Sequence, residues 1–370
     1  MKLINVHEYE TTAQALIEAT AWDYYHGGSD DEVTLRANRS AFERIRLRPR
    51  MLVDVRNIDM GTTVLGTPVS MPILIAPSAY HGLAHAEGEC ATARGAGMAG
   101  TLMTASTFSN RSIEEIAAVA TGPLWFQLYI HRDLNRGEEV VRRAEAAGYK
   151  AIVLTADTPV LGNRERDTRN NFSLPPGMQA GNFPNDDVDA SHPTNNPEAP
   201  DPDADNVTNK DTVIENRILL PIMPTWETID WLRTITTLPI VVKGILTAED
   251  AHLALERGAA AILVSNHGGR QLDSALASIE ALPEIVEAVA GRCEVYMDGG
   301  IRRGTDIIKA LALGARAVLL GRPILWGLAV DGAEGVRDVL EILRAELELA
   351  MMLSGRPTLA SIDRSLVKMM

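Results

Sequence analysis

The sequence predicts an α/β protein built on a closed (β/α)8 barrel of the TIM type. Eight short, fully apolar runs alternate with longer helical patterns from residue 73 onward, as parallel strands buried on both faces should. Several predicted helices end in glycine just before the next strand, at Gly148, Gly258 and Gly314, because a helix often ends in a left-handed residue. Eight such units favour closure into a barrel, with an open, doubly wound sheet as the alternative.

We expect one domain spanning residues 1–370. The barrel would occupy 73–350, and residues 1–72 would form an N-terminal helical extension with helical patterns over 6–25 and 32–45. The predicted strands are 73–76, 101–104, 124–129, 151–155, 240–243, 261–265, 295–298 and 317–320. Helical patterns such as 137–147 and 248–257 separate them.

The interval between residues 155 and 240 lacks a clear strand. Residues 186–211 hold eight acidic side chains, one lysine and four prolines, a composition that buries too little apolar surface to order itself. We therefore predict a flexible insertion over 172–215, after the fourth strand. It is either a solvated loop or a lid, because barrel active sites form on the side where this insertion begins.

Composition excludes several classes of function. The formal net charge of -14 argues against nucleic acid or an anionic membrane as the main partner. No apolar run reaches the roughly 18 residues of a membrane helix, the start Met1-Lys2-Leu3 lacks a signal-peptide core, and the end Lys368-Met369-Met370 is not a peroxisomal signal. The two cysteines form no CxxC pair, so we expect a cytoplasmic protein without disulfides, and we predict no metal site.

Polar residues follow the predicted strands, at the ends where barrel active sites form. Packing alone would not select so polar a set. The set comprises Pro77, Ser78, Ala79, Ser106, Gln127, Tyr129, Thr155, Asp157, Lys243, Ser265, Asn266, His267, Asp298, Gly299, Gly300, Gly321 and Arg322.

The ends of the seventh and eighth strands carry a phosphate signal. Gly299 and Gly300 precede Arg302, and Gly321 precedes Arg322. Glycines let backbone N–H groups approach an anion, strands seven and eight commonly bind phosphate in barrels, and arginines can pair it bidentately. Either pattern alone would also fit a tight turn with surface arginines, but two on adjacent strands favour a phosphate site.

The stretch 264–270 is the sharpest motif, because it sets His267 at a strand end, then two glycines, then Arg270. A histidine base beside a carboxylate-binding arginine suits deprotonation of a hydroxy acid, and Asp157 would orient the imidazole. Lys243 ends an apolar strand and needs water or an anion. It could stabilise developing negative charge or form a Schiff base, and the pattern does not separate these roles.

A second basic cluster, residues 161–169, follows the fourth strand. If Arg164 faces the site together with Arg270, the two would clamp one carboxylate. The alternative is a surface charge run with pairs three and four residues apart, which is the interpretation that we adopt for Arg166 and Arg169.

These residues together resemble the FMN-dependent 2-hydroxy-acid oxidase and dehydrogenase family, which includes lactate and glycolate oxidases. The resemblance covers nearly the whole chain, and the stretch Ser265-Asn266-His267-Gly268-Gly269-Arg270-Gln271 is its most specific motif. Other matching stretches are 23–25, 48–50, 76–79, 126–129, 242–244, 298–304 and 321–323.

The resemblance implies a role for each candidate residue. FMN would be held by Pro77, Ser78, Ala79, Ser106, Gln127, Thr155, Lys243, Ser265, Asp298, Gly299, Gly300, Arg302, Gly321 and Arg322. The substrate would be bound by Tyr24, Tyr129, Arg164 and Arg270, with Tyr80 and Phe108 as walls of its side-chain pocket. Catalysis would rest on His267, Asp157, Lys243 and Tyr129, and the loss of a proton or of a hydride from the α-carbon stays open.

The resemblance also implies the overall reaction. No haem domain or membrane-anchoring segment is seen, and Ala79 stands where quinone-linked relatives tend to have glycine. Oxygen is therefore the expected acceptor, with hydrogen peroxide as product, and two bulky aromatic walls suggest L-lactate or glycolate. The alternatives are an aryl hydroxy acid, another electron acceptor, a Schiff-base barrel enzyme and an FMN-binding protein without turnover. A homo-oligomer, a tetramer or an octamer, is expected by resemblance only.

Overall fold

Eight parallel strands close into a barrel in the computed structural model, which describes residues 3–130, 133–183 and 224–370. In chain order the strands are Ile73–Ile75, Met103–Ala105, Leu124–Leu128, Ile152–Thr155, Ile240–Ile245, Ala261–Val264, Glu294–Asp298 and Ala317–Leu320. The last strand pairs with the first, with Val318 opposite Ile73. The predicted barrel is confirmed, each strand lies within two residues of its predicted bounds, and the open sheet is excluded.

The alternation of side chains along each strand places the site. Trp125, Val241 and Tyr296 belong to one buried apolar cluster inside the barrel. Two residues further along their strands, Gln127 and Lys243 line a cavity. Side chains two residues apart along a strand point to the same face. The barrel interior is therefore apolar in its deeper part and polar at the carboxyl ends of the strands.

Helices surround the barrel and precede it. They are Val6–Leu16, Ala19–His26, Val33–Glu43, Glu89–Met98, Ile113–Val119, Leu134–Ala146, Glu165–Arg169, Trp226–Ile235, Ala248–Glu256, Ser278–Val289, Gly304–Ala312 and Arg322–Ser354, the last broken at Asp331 and Gly332. Gly148, Gly258 and Gly314 follow helices with φ of +87°, +82° and +106°, which confirms the predicted glycine caps.

The N-terminal extension is helical as far as Glu43, in line with the helical patterns predicted over 6–25 and 32–45, and its remaining residues contain short strands instead. Ile45–Leu47 pairs with the C-terminal strand Val367–Met369, and Thr62–Val64 pairs with Thr67–Val69. Leu65 and Gly66 connect the second pair with positive φ, a turn conformation that suits a tight hairpin. Val64 and Val69 join the apolar cluster inside the barrel, so this hairpin completes the core.

The predicted insertion is described only in part. Residues 172–183 belong to the structure, whereas 184–215 lie outside the described residues, so the lid remains a prediction. Phe172 stacks on Tyr24 with ring centroids 4.5 Å apart, which brings the start of the insertion against the N-terminal extension. Among the described residues, no helix is both long and apolar enough to cross a membrane.

Candidate active site

A cavity opens at the carboxyl ends of the barrel strands. Most of the predicted site residues line it: Tyr24, Pro77, Ser78, Ala79, Ser106, Phe108, Gln127, Tyr129, Thr155, Arg164, Lys243, His267, Arg270, Asp298, Gly299, Gly300, Arg302, Gly321 and Arg322. Asp157 and Ser265 lie one layer behind, each in contact with His267. Strand ends, βα loops and the second N-terminal helix therefore converge on one place, as barrel architecture predicts.

Tyr80, predicted as a wall of the side-chain pocket, is not among the residues that line the cavity, and its wall role stays a prediction. It is 1% exposed and has a left-handed φ of +57°. Its ring centroid lies 6.3 Å from that of Phe108, and Phe108 does line the cavity. The unusual backbone turn could not be foreseen from a tyrosine, since such residues rarely adopt positive φ.

His267 is bound to a buried carboxylate and a buried ammonium. Its Nδ1 lies 2.8 Å from Oδ1 of Asp157, whose Oδ2 accepts a hydrogen bond of 3.2 Å from Nζ of Lys243. The hydroxyl of Thr158 donates to Asp157 over 3.1 Å. On the other side of the ring, Nε2 lies 3.4 Å from the hydroxyl of Tyr129. Nε2 is therefore the nitrogen that faces the cavity.

The charges in this cluster are set by burial and by each other. Burial alone would raise the pKa of Asp157, but Lys243 and His267 outweigh it and hold that pKa well below the usual range. Burial lowers the pKa of Lys243, but Asp157 and Asp298 outweigh it, so the net shift is upward. Burial, then the charge of Lys243, lowers the pKa of His267 to about 4. The cluster is thus an ionised carboxylate–ammonium pair beside a neutral imidazole.

Gly244 makes room for Asp157. Its φ is +107°, and an added Cβ would lie 2.5 Å from Cβ of Asp157. This contact is far closer than ordinary packing allows, so the glycine after Lys243 is what lets the carboxylate approach both partners.

We expect Gly244→Ala to displace Asp157 and to lower kcat at least tenfold, since small misplacements of catalytic groups cost about 10²-fold. The matched control is Gly148→Ala, because Gly148 has φ of +87° but nothing within 4 Å of an added Cβ. Both variants carry the same kind of backbone strain, and steady-state kinetics separates strain from the clash. Equal kcat in the two variants would contradict this role of Gly244.

Two arginines flank the cavity beside this cluster. Nε of Arg164 donates to the carbonyl of Arg270 over 3.3 Å, and the guanidinium of Arg270 lies 4.9 Å from the ring centroid of Tyr24. Burial, then the charge of Arg270, lowers the pKa of Arg164 to about 10. Two partly buried guanidinium groups beside one cavity favour an anion between them. Arg166 and Arg169, by contrast, pair with acidic residues outside the cavity.

The predicted phosphate site also holds two partly buried cations. The guanidinium of Arg302 lies 4.6 Å from the ring centroid of Trp326, and burial lowers its pKa to about 10. Burial, then Arg270 and Arg302, lowers the pKa of Arg322 to about 9. Arg322 also donates three hydrogen bonds to backbone carbonyls, of Tyr25, Gly27 and Gly268. A dianion at this point would offset the charge of both guanidinium groups.

Between the phosphate site and His267 the cavity presents hydrogen-bonding groups suited to a polar ring and a hydroxylated chain. Nε2 of Gln127 donates to Thr155 over 2.9 Å, and Ser106 donates to Oε1 of Gln127 over 3.0 Å. Among the described residues, Oδ1 of Asp298 is buried with no hydrogen-bond partner, which is costly unless a ligand donates to it. The set fits a phosphorylated cofactor with hydroxyl groups, and FMN is such a molecule.

Sequence reasoning missed several residues of the site. Thr158 and Leu161 line the cavity, and Gln271 accepts from the backbone of Gly162 while donating to the carbonyl of Asp157. Thr158 follows Asp157 directly, and that adjacency was an available signal. The role of Gln271 depends on a contact between two loops over a hundred residues apart, which no local pattern reveals.

The fold and the site define a class: barrel enzymes whose cavity suits a phosphorylated cofactor and an anionic substrate. Within this class, the chain belongs to the FMN-dependent dehydrogenase family, whose model matches residues 13–369. Its cofactor is accordingly FMN, and its enzyme class is FMN-dependent 2-hydroxy-acid oxidase.

Similar proteins cover the full length of the chain. An L-lactate oxidase of Nostoc sp. is 53% identical over 366 residues, covering 98% of this chain and 97% of its own. A glycolate oxidase of Spinacia oleracea is 50% identical over 365 residues, covering 99% and 95%. A solved mandelate oxidase variant with (S)-mandelic acid superposes with a TM-score of 0.88 at 43% identity, covering 100% and 99%.

Proposed function

We propose that this protein oxidises a small (S)-2-hydroxy acid, L-lactate or glycolate, to the 2-oxo acid, and that oxygen then reoxidises FMN and forms hydrogen peroxide. The observation that carries this proposal is the orientation of His267, with Nδ1 on Asp157 and Nε2 toward the cavity. A neutral imidazole held this way is ready to take a proton from a hydroxy acid.

FMN, when bound, supplies the two-electron acceptor. Three groups of residues would hold it. Arg302 and Arg322 would bind the phosphate, and Asp298 would bind the hydroxylated chain. Gln127, Ser106 and Thr155 would lie beside the ring. The raised pKa of Lys243 keeps a positive charge in the same cavity, which would favour negative charge on the reduced cofactor.

The substrate carboxylate would lie between Arg164 and Arg270. Tyr129 would hydrogen-bond the substrate near Nε2 of His267, because its hydroxyl lies 3.4 Å from that atom. After His267 takes the proton, the anionic Asp157 stabilises the imidazolium across a contact of 2.8 Å. These residue roles explain why the base, its carboxylate partner and the clamp face one cavity.

The size of the substrate is proposed from two observations. The relatives named as lactate and glycolate oxidases are 50–53% identical to this chain, whereas the mandelate oxidase structure is 43% identical. In addition, the rings of Phe108 and Tyr129 pack 5.3 Å apart in the cavity wall, which fills space that a large side chain would need. An aryl hydroxy acid remains the second candidate because of the structural similarity to mandelate oxidase.

The geometry disfavours the Schiff-base alternative. A lysine that attacks a carbonyl must be neutral, whereas Nζ of Lys243 is bound to Asp157 and its pKa is raised. Borohydride with a carbonyl substrate should therefore leave Lys243 unmodified.

The test is the visible spectrum of the purified protein, mixed anaerobically with L-lactate, glycolate or L-mandelate and then opened to air. We expect L-lactate or glycolate to bleach the yellow flavin and air to restore it rapidly. Bleaching by L-mandelate alone would overturn the proposed substrate class, and slow recovery in air would overturn oxygen as the acceptor.

A cytoplasmic location and assembly into a tetramer or octamer are also part of this proposal. Cys90 and Cys293 are both unpaired, which suits a reducing compartment. The assembly rests on family resemblance, and light scattering of the FMN-loaded protein would measure it.

A further inference from the structure

Two buried asparagines join the N-terminal extension to the catalytic loop. Nδ2 of Asn38 donates to Oδ1 of Asn266 over 2.9 Å, and Nδ2 of Asn266 donates to Oδ1 of Asn38 over 2.8 Å. Asn38 is 2% exposed and Asn266 is 4% exposed, so both are buried. Each amide therefore gives one hydrogen bond to the other and takes one in return, a reciprocal pair that only an amide or a carboxylic acid can form.

Asn266 organises the turn that presents the base. Its Oδ1 also accepts from the backbone N–H of Gly269 over 3.1 Å, and its Nδ2 donates to the carbonyl of Leu276 over 3.0 Å. His267 follows immediately, with a left-handed φ of +57°. Such a conformation is strained in a residue other than glycine and persists only where the surroundings enforce it.

Asn38 also touches the loop of the phosphate site. A Cβ added to Gly300 would lie 1.9 Å from the main-chain carbonyl oxygen of Asn38, so helix Val33–Glu43 packs directly on the Gly299–Gly300 turn. The closest atom in this second contact is the main-chain carbonyl oxygen of Asn38, although its side-chain Oδ1 would also lie 3.4 Å from a Cβ added to Gly299. The contact with Asn266, by contrast, uses only the side chain. Changing the side chain should therefore affect the two loops unequally.

We propose that Asn38, on a helix outside the barrel, is a positioning residue for His267, acting through Asn266. The inference rests on the proposed function, in which His267 is the base. The amide of Asn38 fixes Asn266, Asn266 fixes the strained turn, and the turn aims Nε2 into the cavity.

The test uses Asn38→Asp and Asn38→Leu in the FMN-loaded protein, with kcat measured between about pH 5 and about pH 8. Ionised aspartate has no proton to donate, so it would place oxygen against Oδ1 of Asn266. Protonated aspartate restores both hydrogen bonds, and burial raises the pKa of a carboxyl group into this range. Asn38→Asp should therefore lose about 10- to 100-fold in kcat near pH 8 and recover most of it near pH 5.

Asn38→Leu cannot form the pair in either protonation state, so its loss of kcat should be the same at both pH values. The matched control on the same helix is Ser40→Ala at an exposed position, which should keep wild-type kcat. The FMN dissociation constant, followed by flavin fluorescence, should stay within a few-fold of wild type in Asn38→Asp, because the closest contact with Gly300 is made by the main-chain carbonyl and aspartate keeps the shape of the side chain.

Three results would overturn the inference: wild-type kcat in Asn38→Leu, a loss in Asn38→Asp that does not change with pH, or a loss of FMN that accounts for all of the lost activity. If Asn38→Leu does not fold, the pH dependence of Asn38→Asp alone decides. A wild-type protein that oxidises no 2-hydroxy acid would refute the proposed function itself, which distinguishes the two failures.

Discussion

Replacing His267 with glutamine is expected to lower kcat/KM for the 2-hydroxy acid by about 10⁴-fold, the upper range for loss of a general base. Glutamine keeps a polar side chain of similar reach, but it cannot accept and hold the substrate proton. FMN should stay bound, because the residues at the predicted phosphate site do not include His267. Stopped-flow measurement of flavin bleaching under anaerobic conditions would isolate the step that fails.

The control is His252→Gln, since His252 is exposed on helix Ala248–Glu256 and lies outside the cavity. It should behave as wild type. A loss of only a few-fold in His267→Gln would contradict the assignment of the base.

The pH dependence of kcat/KM in the wild-type protein gives a second test of His267 as the base. A base works only when it is unprotonated, and the pKa of His267 is lowered to about 4. The kcat/KM value should therefore be level above this pKa and fall as the pH drops through it. An acid limb near the ordinary histidine pKa of about 6.5 would show that the surroundings do not favour the neutral imidazole.

The barrel and most of the cavity could be predicted from the sequence because both depend on local patterns. The predicted strand 240–243 is recognised by its apolar run over 240–242, and the polar residue that follows this run, Lys243, is then expected at the carboxyl end of the barrel. The same logic located His267 and Asp298.

What could not be predicted depends on contacts between distant segments or on unusual backbone conformations. The amide pair of Asn38 and Asn266 joins residues 228 positions apart. The positive φ of Tyr80 is likewise not suggested by its residue type. The short strand Ile45–Leu47 exists because the C-terminal residues return to pair with it, so tertiary pairing overrides the local pattern.

The second large effect is expected from Lys243→Met, which removes the ammonium from a buried ion pair. The side chains of Lys243 and Asp157 are 5% and 10% exposed, so water would not replace the lost partner. Breaking a buried pair in this way costs about 3–5 kcal/mol in the free energy of unfolding, and denaturant titration of the FMN-loaded protein would measure the loss. Lys150→Met, at an exposed position, is the matched control and should leave the free energy unchanged.

The double variant Lys243→Met/Asp157→Asn decides whether the loss comes from the unpaired charge. With both charges gone, no ion remains buried without a partner, and the free energy of unfolding should recover most of the deficit.

The single variant Lys243→Met should also move the acid limb of kcat/KM to higher pH, because the charge of Lys243 lowers the pKa of His267. A double variant no more stable than the single one would mean that Lys243 stabilises the barrel by packing, and an unmoved acid limb would mean that it does not control the protonation of the base.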